Sequence, residues 1–210
     1  MSLKVNRVAR TMVYVACAIA ILLVLSGTAS AQSMEVTYFD NNSLTTTGAP
    51  QAVVHIVNPG NGALCADVYV WRSDQELSEC CSCPITPNGV LTFTVDYATN
   101  NPGDHTPGAT AGSIDVIADS TASCTDSSAS NPTPAGSLLV WATHVNLDSV
   151  TSGYDVTETE ALTTSLSSGE QSEAASRCGF LQSNGSNAGL CNAICTEYST
   201  DAKGKAKSTK

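Results

Sequence analysis

Lysine is missing from the body of this 210-residue chain. None occurs between Gln32 and Thr200, where Arg72 and Arg177 are the only bases against eighteen Asp and Glu, a net charge of −16. Phosphate neutralisation needs clustered Lys and Arg, so the body is not a nucleic-acid binder working through a basic face. Anionic lipid is an equally poor partner for it. No apolar run after residue 31 approaches spanning length, so no membrane association is expected once the N-terminal segment is removed. Catalytic signatures are missing too. There is no H-E-x-x-H, no D-x-D-x-D-G calcium loop and no G-x-S-x-G elbow, the serine of Gly185-Ser186-Asn187-Ala188-Gly189 being in the wrong place. No cofactor is expected.

What is present begins with an export signature. Lys4, Arg7 and Arg10 precede an uncharged apolar run over 12–25, and Ala29-Ser30-Ala31 has the small-x-small pattern of a cleavage site. Residues 1–31 therefore read as a signal peptide, with the mature chain starting at Gln32. A retained anchor and a lipoprotein acylated on Cys17 are the alternatives. The second fits badly, because Cys17 lies in the middle of the apolar run. The destination is the exterior or the cell surface, with the periplasm as a variant. Residues 201–210 carry Lys203, Lys205, Lys207 and Lys210 and no large apolar side chain, so they read as a disordered basic tail. Residues 32–200 then form one domain.

The mature chain keeps eight cysteines: Cys65, Cys80, Cys81, Cys83, Cys124, Cys178, Cys191 and Cys195. An even count in an exported chain implies disulfides rather than metal, and adjacent Cys80 and Cys81 do not follow the C-x2-C spacing of zinc knuckles. A redox pair at Cys81-Ser82-Cys83 lacks both the C-x-x-C spacing and a helix start, since Pro84 and a turn are expected next. Five cysteines lie at or before Cys124 and three at or after Cys178. Full pairing thus needs at least one bridge between the two groups.

Period-2 alternation recurs at 34–39, 52–57, 64–71, 91–97, 113–118, 137–147 and 154–160, about seven strands separated by turns such as Thr86-Pro87-Asn88-Gly89. This is the pattern of an antiparallel β-sandwich, mainly β and stapled by disulfides. Residues 100–112 and 120–136 read as long loops, the second pinned by Cys124. One short C-terminal helix is signalled by the capping box Ser167-Ser168-Gly169-Glu170, with Ala174, Ala175, Cys178 and Leu181 on one face and Asn184-Gly185 as its stop.

Candidate chemistry is sparse. Glu158 and Glu160 are two apart, so a strand puts both carboxylates on one face. A pair of that kind can serve a glycosidase or bind a cation, although a solvated strand face has the same pattern. His55 and His144 fall inside strands and His105 in a loop, none with ligand spacing. Lysine commonly blunts sheet edges. Its absence raises the expectation of edge-to-edge self-association, with the run 34–39 as one strand that could be donated.

Leu64-Cys65-Ala66-Asp67-Val68-Tyr69-Val70-Trp71, Gln75-Glu76-Leu77, Glu79-Cys80-Cys81-Ser82-Cys83-Pro84 and Thr86-Pro87-Asn88-Gly89-Val90-Leu91 together resemble a family of exported bacterial cysteine-containing proteins of unknown function. Trp141-Ala142-Thr143-His144, Val156-Thr157-Glu158-Thr159-Glu160 and the C-terminal cysteines are similar too, and the Glu-Cys-Cys-x-Cys-Pro cluster is the most specific part. The resemblance implies an exported, cysteine-stapled module and no particular activity. The sequence therefore supports a secreted or cell-surface non-catalytic structural or binding module, with itself or a surface component as partner. An extracellular polysaccharide-acting hydrolase using Glu158 and Glu160 is the alternative.

Overall fold

A computed structural model describes residues 32–40, 49–95, 110–121, 123–148, 150–183 and 195. Residues 1–31, His105, Cys191 and residues 201–210 lie outside them. Nine strands occur in chain order: β1 (Gln32–Asp40), β2 (Val53–Val57), β3 (Leu64–Arg72), β4 (Leu77–Ile85), β5 (Val90–Thr94), β6 (Ala111–Asp119), β7 (Leu139–Leu147), β8 (Tyr154–Glu160) and β9 (Leu162–Leu166). Two helices accompany them, α1 (Asp126–Ala129) and α2 (Ser168–Ser183). One sheet has the order β4-β3-β6-β1-β9 and the other β5-β2-β7-β8, with every pairing antiparallel.

The two sheets face each other across an apolar layer. Val68 and Val70 of β3 and Ile114 and Val116 of β6 meet Val54 and Ile56 of β2 and Phe93 of β5, all at most 1% exposed. Alternation explains this packing, because every second residue of these strands points inward. The five-stranded sheet is also covered on its other face. There Tyr69, Cys80 and Ile117 pack with Ala129 of α1 and with Ala174 and Cys178 of α2, and the Tyr69 hydroxyl donates to the Ala129 carbonyl at 2.7 Å. Burial on both faces is why β3 reads as a continuous buried run from Cys65 to Val70 rather than as an alternating one.

Mainly β structure, two antiparallel sheets and disulfide-paired cysteines agree with the sequence pattern. The differences are local. Nine strands replace about seven, because the cysteine cluster and the segment after Glu160 are strands as well. Pro84, expected to lead into a turn, lies within β4, where it is the exposed residue of an otherwise buried edge strand. An edge strand tolerates proline since one side of its backbone has no ladder to complete. The segment 120–136 holds α1 and a bridge between Asp119 and Pro134. The strand expected over 91–97 spans Val90–Thr94, with Asp96 and Tyr97 outside the described residues. The run 34–39, considered as a donated strand, is the interior strand β1, hydrogen-bonded to β6 and β9.

Two turns and a close approach depend on particular residues. Asn88 has φ 55° in the turn before β5, a conformation asparagine tolerates better than most side chains. Buried Asn58 closes the β2–β3 connection by donating to the Gly62 and Ile85 carbonyls at 2.8 and 3.1 Å while accepting from the Gly60 amide at 2.9 Å. Gly112 must be glycine, because a Cβ there would lie 1.9 Å from the Trp71 carbonyl oxygen. Helix α2 opens on the expected box: the Glu170 amide donates to Ser167 Oγ at 3.2 Å and the Ser167 amide to Glu170 Oε2 at 2.8 Å.

Three disulfides join Cys65 to Cys124, Cys80 to Cys178 and Cys83 to Cys195, with sequence separations of 59, 98 and 112 residues. Two of them cross between the N- and C-terminal cysteine groups. For loops of this length the chain-entropy model gives about 4–5 kcal/mol for one bridge taken alone. Cys81 is disulfide-bonded as well. Peptide mapping without reduction should recover these three pairs, find Cys81 linked to Cys191, and detect no free thiol among residues 32–210. The double substitution Cys80→Ser/Cys178→Ser should lower the unfolding free energy by about 2–5 kcal/mol in urea titrations, because it releases α2 from β4.

Candidate functional site

Strand β4 carries the densest chemistry in the fold. Adjacent residues of a strand point to opposite faces, so Cys80 and Cys81 cannot pair with each other and instead address different layers. Cys80 lies opposite Tyr69 and reaches α2 through Cys178, whereas Cys81 lies opposite Val68 and Cys83 opposite Ala66 on the inner face. Sγ atoms of Cys81, Cys83 and Cys195 fall within 4.8 Å of one another. Metal binding would require thiolates, and all three sulfurs are in disulfides here.

Acids occupy places that the apolar runs around them conceal. Glu79 lies opposite Val70, on the inner face with Cys81 and Cys83. It is 4% exposed, and its Oε2 has no hydrogen-bond partner among the described residues. Burial raises its pKa well above the ordinary value. Asp67 and Asp119 lie on the outer face of the same sheet and are fully buried. Asp119 accepts from the Thr121 amide at 2.5 Å, the Thr121 hydroxyl and the Thr133 amide at 2.8 Å, and so fixes both ends of the segment around α1. Asp67 faces Ser82 across the β3–β4 pair without a well-formed hydrogen bond. Burial pushes its pKa up to about 8, the Ser82 hydroxyl opposes this, and the neighbouring Asp119 adds to it. Asp115 is raised to about 6, again mainly by burial. Glu35 is raised by burial and accepts from the Thr163 hydroxyl at 2.8 Å.

Sequence reasoning passed over Asp67 and Asp119. Their signal was available: an acid inside an otherwise apolar strand run is buried unless that face is open to water.

Glu158 and Glu160 lie on one face of β8, opposite Thr143 and Trp141, and both are exposed. Glu160 lies near enough to the buried Glu35 to help raise its pKa. A shallow recess lies elsewhere, lined by Glu76, Leu77, Arg177, Phe180 and Leu181. His55 shares a hydrogen bond with the Thr92 hydroxyl at 3.0 Å, as expected of a partnered strand residue. His144 is buried, bonds Thr159 through Nε2 at 2.6 Å and stacks on Tyr38 with ring centroids 4.0 Å apart. Its pKa is lowered by burial.

No family model matches the chain, and no curated protein does. One solved structure, titled "Crystal Structure of Thermotoga maritima 1070", is similar at 13% identity over 66% of this chain and 99% of that one, with a TM-score of 0.40. A likeness at that level carries no functional argument. No helix among the described residues is long and apolar enough to cross a membrane.

The buried acids set a pH dependence. Asp67 keeps its proton in the fold up to about pH 8 but loses it near 4 when unfolded, so the folded state binds more protons in between and stability falls as pH rises. His144 opposes this below about pH 6.5, where unfolding lets it take up a proton. The clear window is therefore about pH 6.5 to 8. The unfolding free energy from urea titrations should fall across it, by at most about 1.4 kcal/mol per pH unit for one group, and Asp67→Asn should flatten the slope. A wild-type midpoint that climbs between pH 6.5 and 8 would contradict this account.

Proposed function

We propose that the chain is a secreted or cell-surface non-catalytic structural or binding module that associates with copies of itself through sheet edges. We place it with the exported cysteine-containing proteins that its Glu79–Pro84 cluster resembles. The observation that carries the reading is the edge strand β8. It pairs with β7 on one side and with no strand on the other among the described residues. From Asp155 to Glu160 every residue is exposed, Val156 at 58%. Ala161 turns the chain directly into β9, where Leu162 is 68% exposed. β8 has no lysine, no proline and no bulge in its register with β7, which leaves the acids Asp155, Glu158 and Glu160 as its blunting residues. Disulfides support an oxidising compartment, since they persist outside the cytosol.

Light scattering and electron microscopy of the mature protein over a range of concentrations should detect assemblies, and Val156→Lys should shift them toward monomer without lowering the melting temperature. A monomer at every concentration would sink the proposal. The double variant Glu158→Gln/Glu160→Gln should remain folded, and neither it nor the parent should release sugars from polysaccharide. Glycan cleavage by the parent that the double variant loses would favour the hydrolase reading instead.

A further inference from the structure

The lysines missing from the body of the chain are gathered in one short segment, and their spacing matches a row of acids on the fold. Residues 203–207 read Lys-Gly-Lys-Ala-Lys, and residues 201–210 have four Lys against one Asp, a net charge of +3. In an extended strand Lys203, Lys205 and Lys207 lie on one face about 6.6 Å apart, with Gly204 and Ala206 on the other. β8 presents the complementary row. Val156, Glu158 and Glu160 share one of its faces at the same spacing, all of them exposed, and one side of the strand has no neighbour among the described residues. Cys195, which precedes the lysines, is bonded to Cys83 of β4, one edge of the five-stranded sheet, and β9 is the other edge. β8 adjoins β9, since only Ala161 separates them. Four interstrand spacings, about 19 Å, therefore separate the strand that anchors the lysine segment from the edge at which β8 lies.

We propose that residues 203–207 of one copy add as a strand to the open edge of β8 in a second copy. The proposal rests on the self-association reading above and names the segment that fills the edge. Backbone amides and carbonyls of the added strand extend the ladder that β7 begins on the other side of β8. The lysine ammonium groups stand beside Glu158 and Glu160, and an aliphatic lysine stem covers Val156. Gly204 and Ala206 add little bulk on the face shared with Thr157 and Thr159. Two β8 edges repel each other through these same acids, so the basic strand is favoured over a second β8 as the occupant. Donor and acceptor lie at opposite edges of the sandwich, which makes the contact heterologous. An assembly built on it keeps an open β8 at one end and an unused lysine segment at the other, and it grows head to tail until it closes.

Sedimentation of the mature protein, residues 32–210, and of two charge-reversed variants tests the contact. Salt screens the attraction between the lysines and the glutamates, so assemblies formed at about 20 mM salt should be lost at about 500 mM. The β8 variant Glu158→Lys/Glu160→Lys and the segment variant Lys203→Glu/Lys205→Glu/Lys207→Glu should each need at least about tenfold more protein than the parent to assemble. An equimolar mixture of the two should recover the parent's behaviour, because each then meets a partner of opposite charge. Recovery also shows that neither variant is misfolded. Undiminished assembly of the segment variant, or assembly that strengthens with salt, would overturn this contact and leave association through sheet edges standing. Loss of assembly in both variants with no recovery on mixing would overturn it as well. A parent that stays monomeric under every condition would remove both readings.

Discussion

Covalent attachment of β4 on both of its faces is the constraint on which the rest of the structure depends. The strand is the edge of the five-stranded sheet and includes a proline, so its hydrogen bonds to β3 alone would leave it weakly held. Cys80 ties its outer face to α2, and Cys83 ties its inner face to the segment bearing Cys195. With those ties made, α1 and α2 cover Tyr69, Ile117 and Cys80, and the sheet becomes buried on both sides. The doubly buried sheet in turn creates the low-dielectric setting of Asp67 and Glu79.

The strands that alternate cleanly were legible from sequence, because β2, β5 and β7 have one inward and one outward face and their patterns say so. Helix α2 was legible from its capping box and the spacing of Ala174 and Cys178. What escaped was β4, whose Leu-Ser-Glu-Cys-Cys-Ser-Cys-Pro-Ile has no alternation because nearly every position is covered. Segment β9 escaped for the opposite reason, since its Thr and Ser residues leave little apolar contrast and it follows β8 with only Ala161 between. The parity of the cysteines did constrain the pairing, whereas the partner of each cysteine depends on which face it takes, and that is decided by the register of β4 against β3. Glu158 and Glu160 were correctly placed on one face, but Asp67 and Asp119 were hidden because the strand runs around them look simply apolar.

The scarcity of lysine has different meanings at different edges. At β4 the cystines and helices do the protecting, so positive charge is not required there. At β8 no comparable cover is present among the described residues, and the exposed acids are its main restraint against pairing. Those acids repel another copy of the same edge at low ionic strength, and salt weakens that repulsion over about 10 Å. The proposed association through β8 would thus be set by two opposing terms, the open backbone groups with Val156 and Leu162 on one side and like charge on the other.

The long reach of the two crossing disulfides gives the molecule tolerance to proteolysis. Cys80 and Cys83 lie before the stretch 84–177, and their partners Cys178 and Cys195 lie after it. A single peptide bond cleaved anywhere between Cys83 and Cys178 therefore leaves two pieces that are still joined by at least two disulfides, and by Cys65–Cys124 too when the cut falls before Cys124. In surroundings rich in proteases, a nick in any of the intervening loops would not release a fragment until the sulfurs were reduced as well.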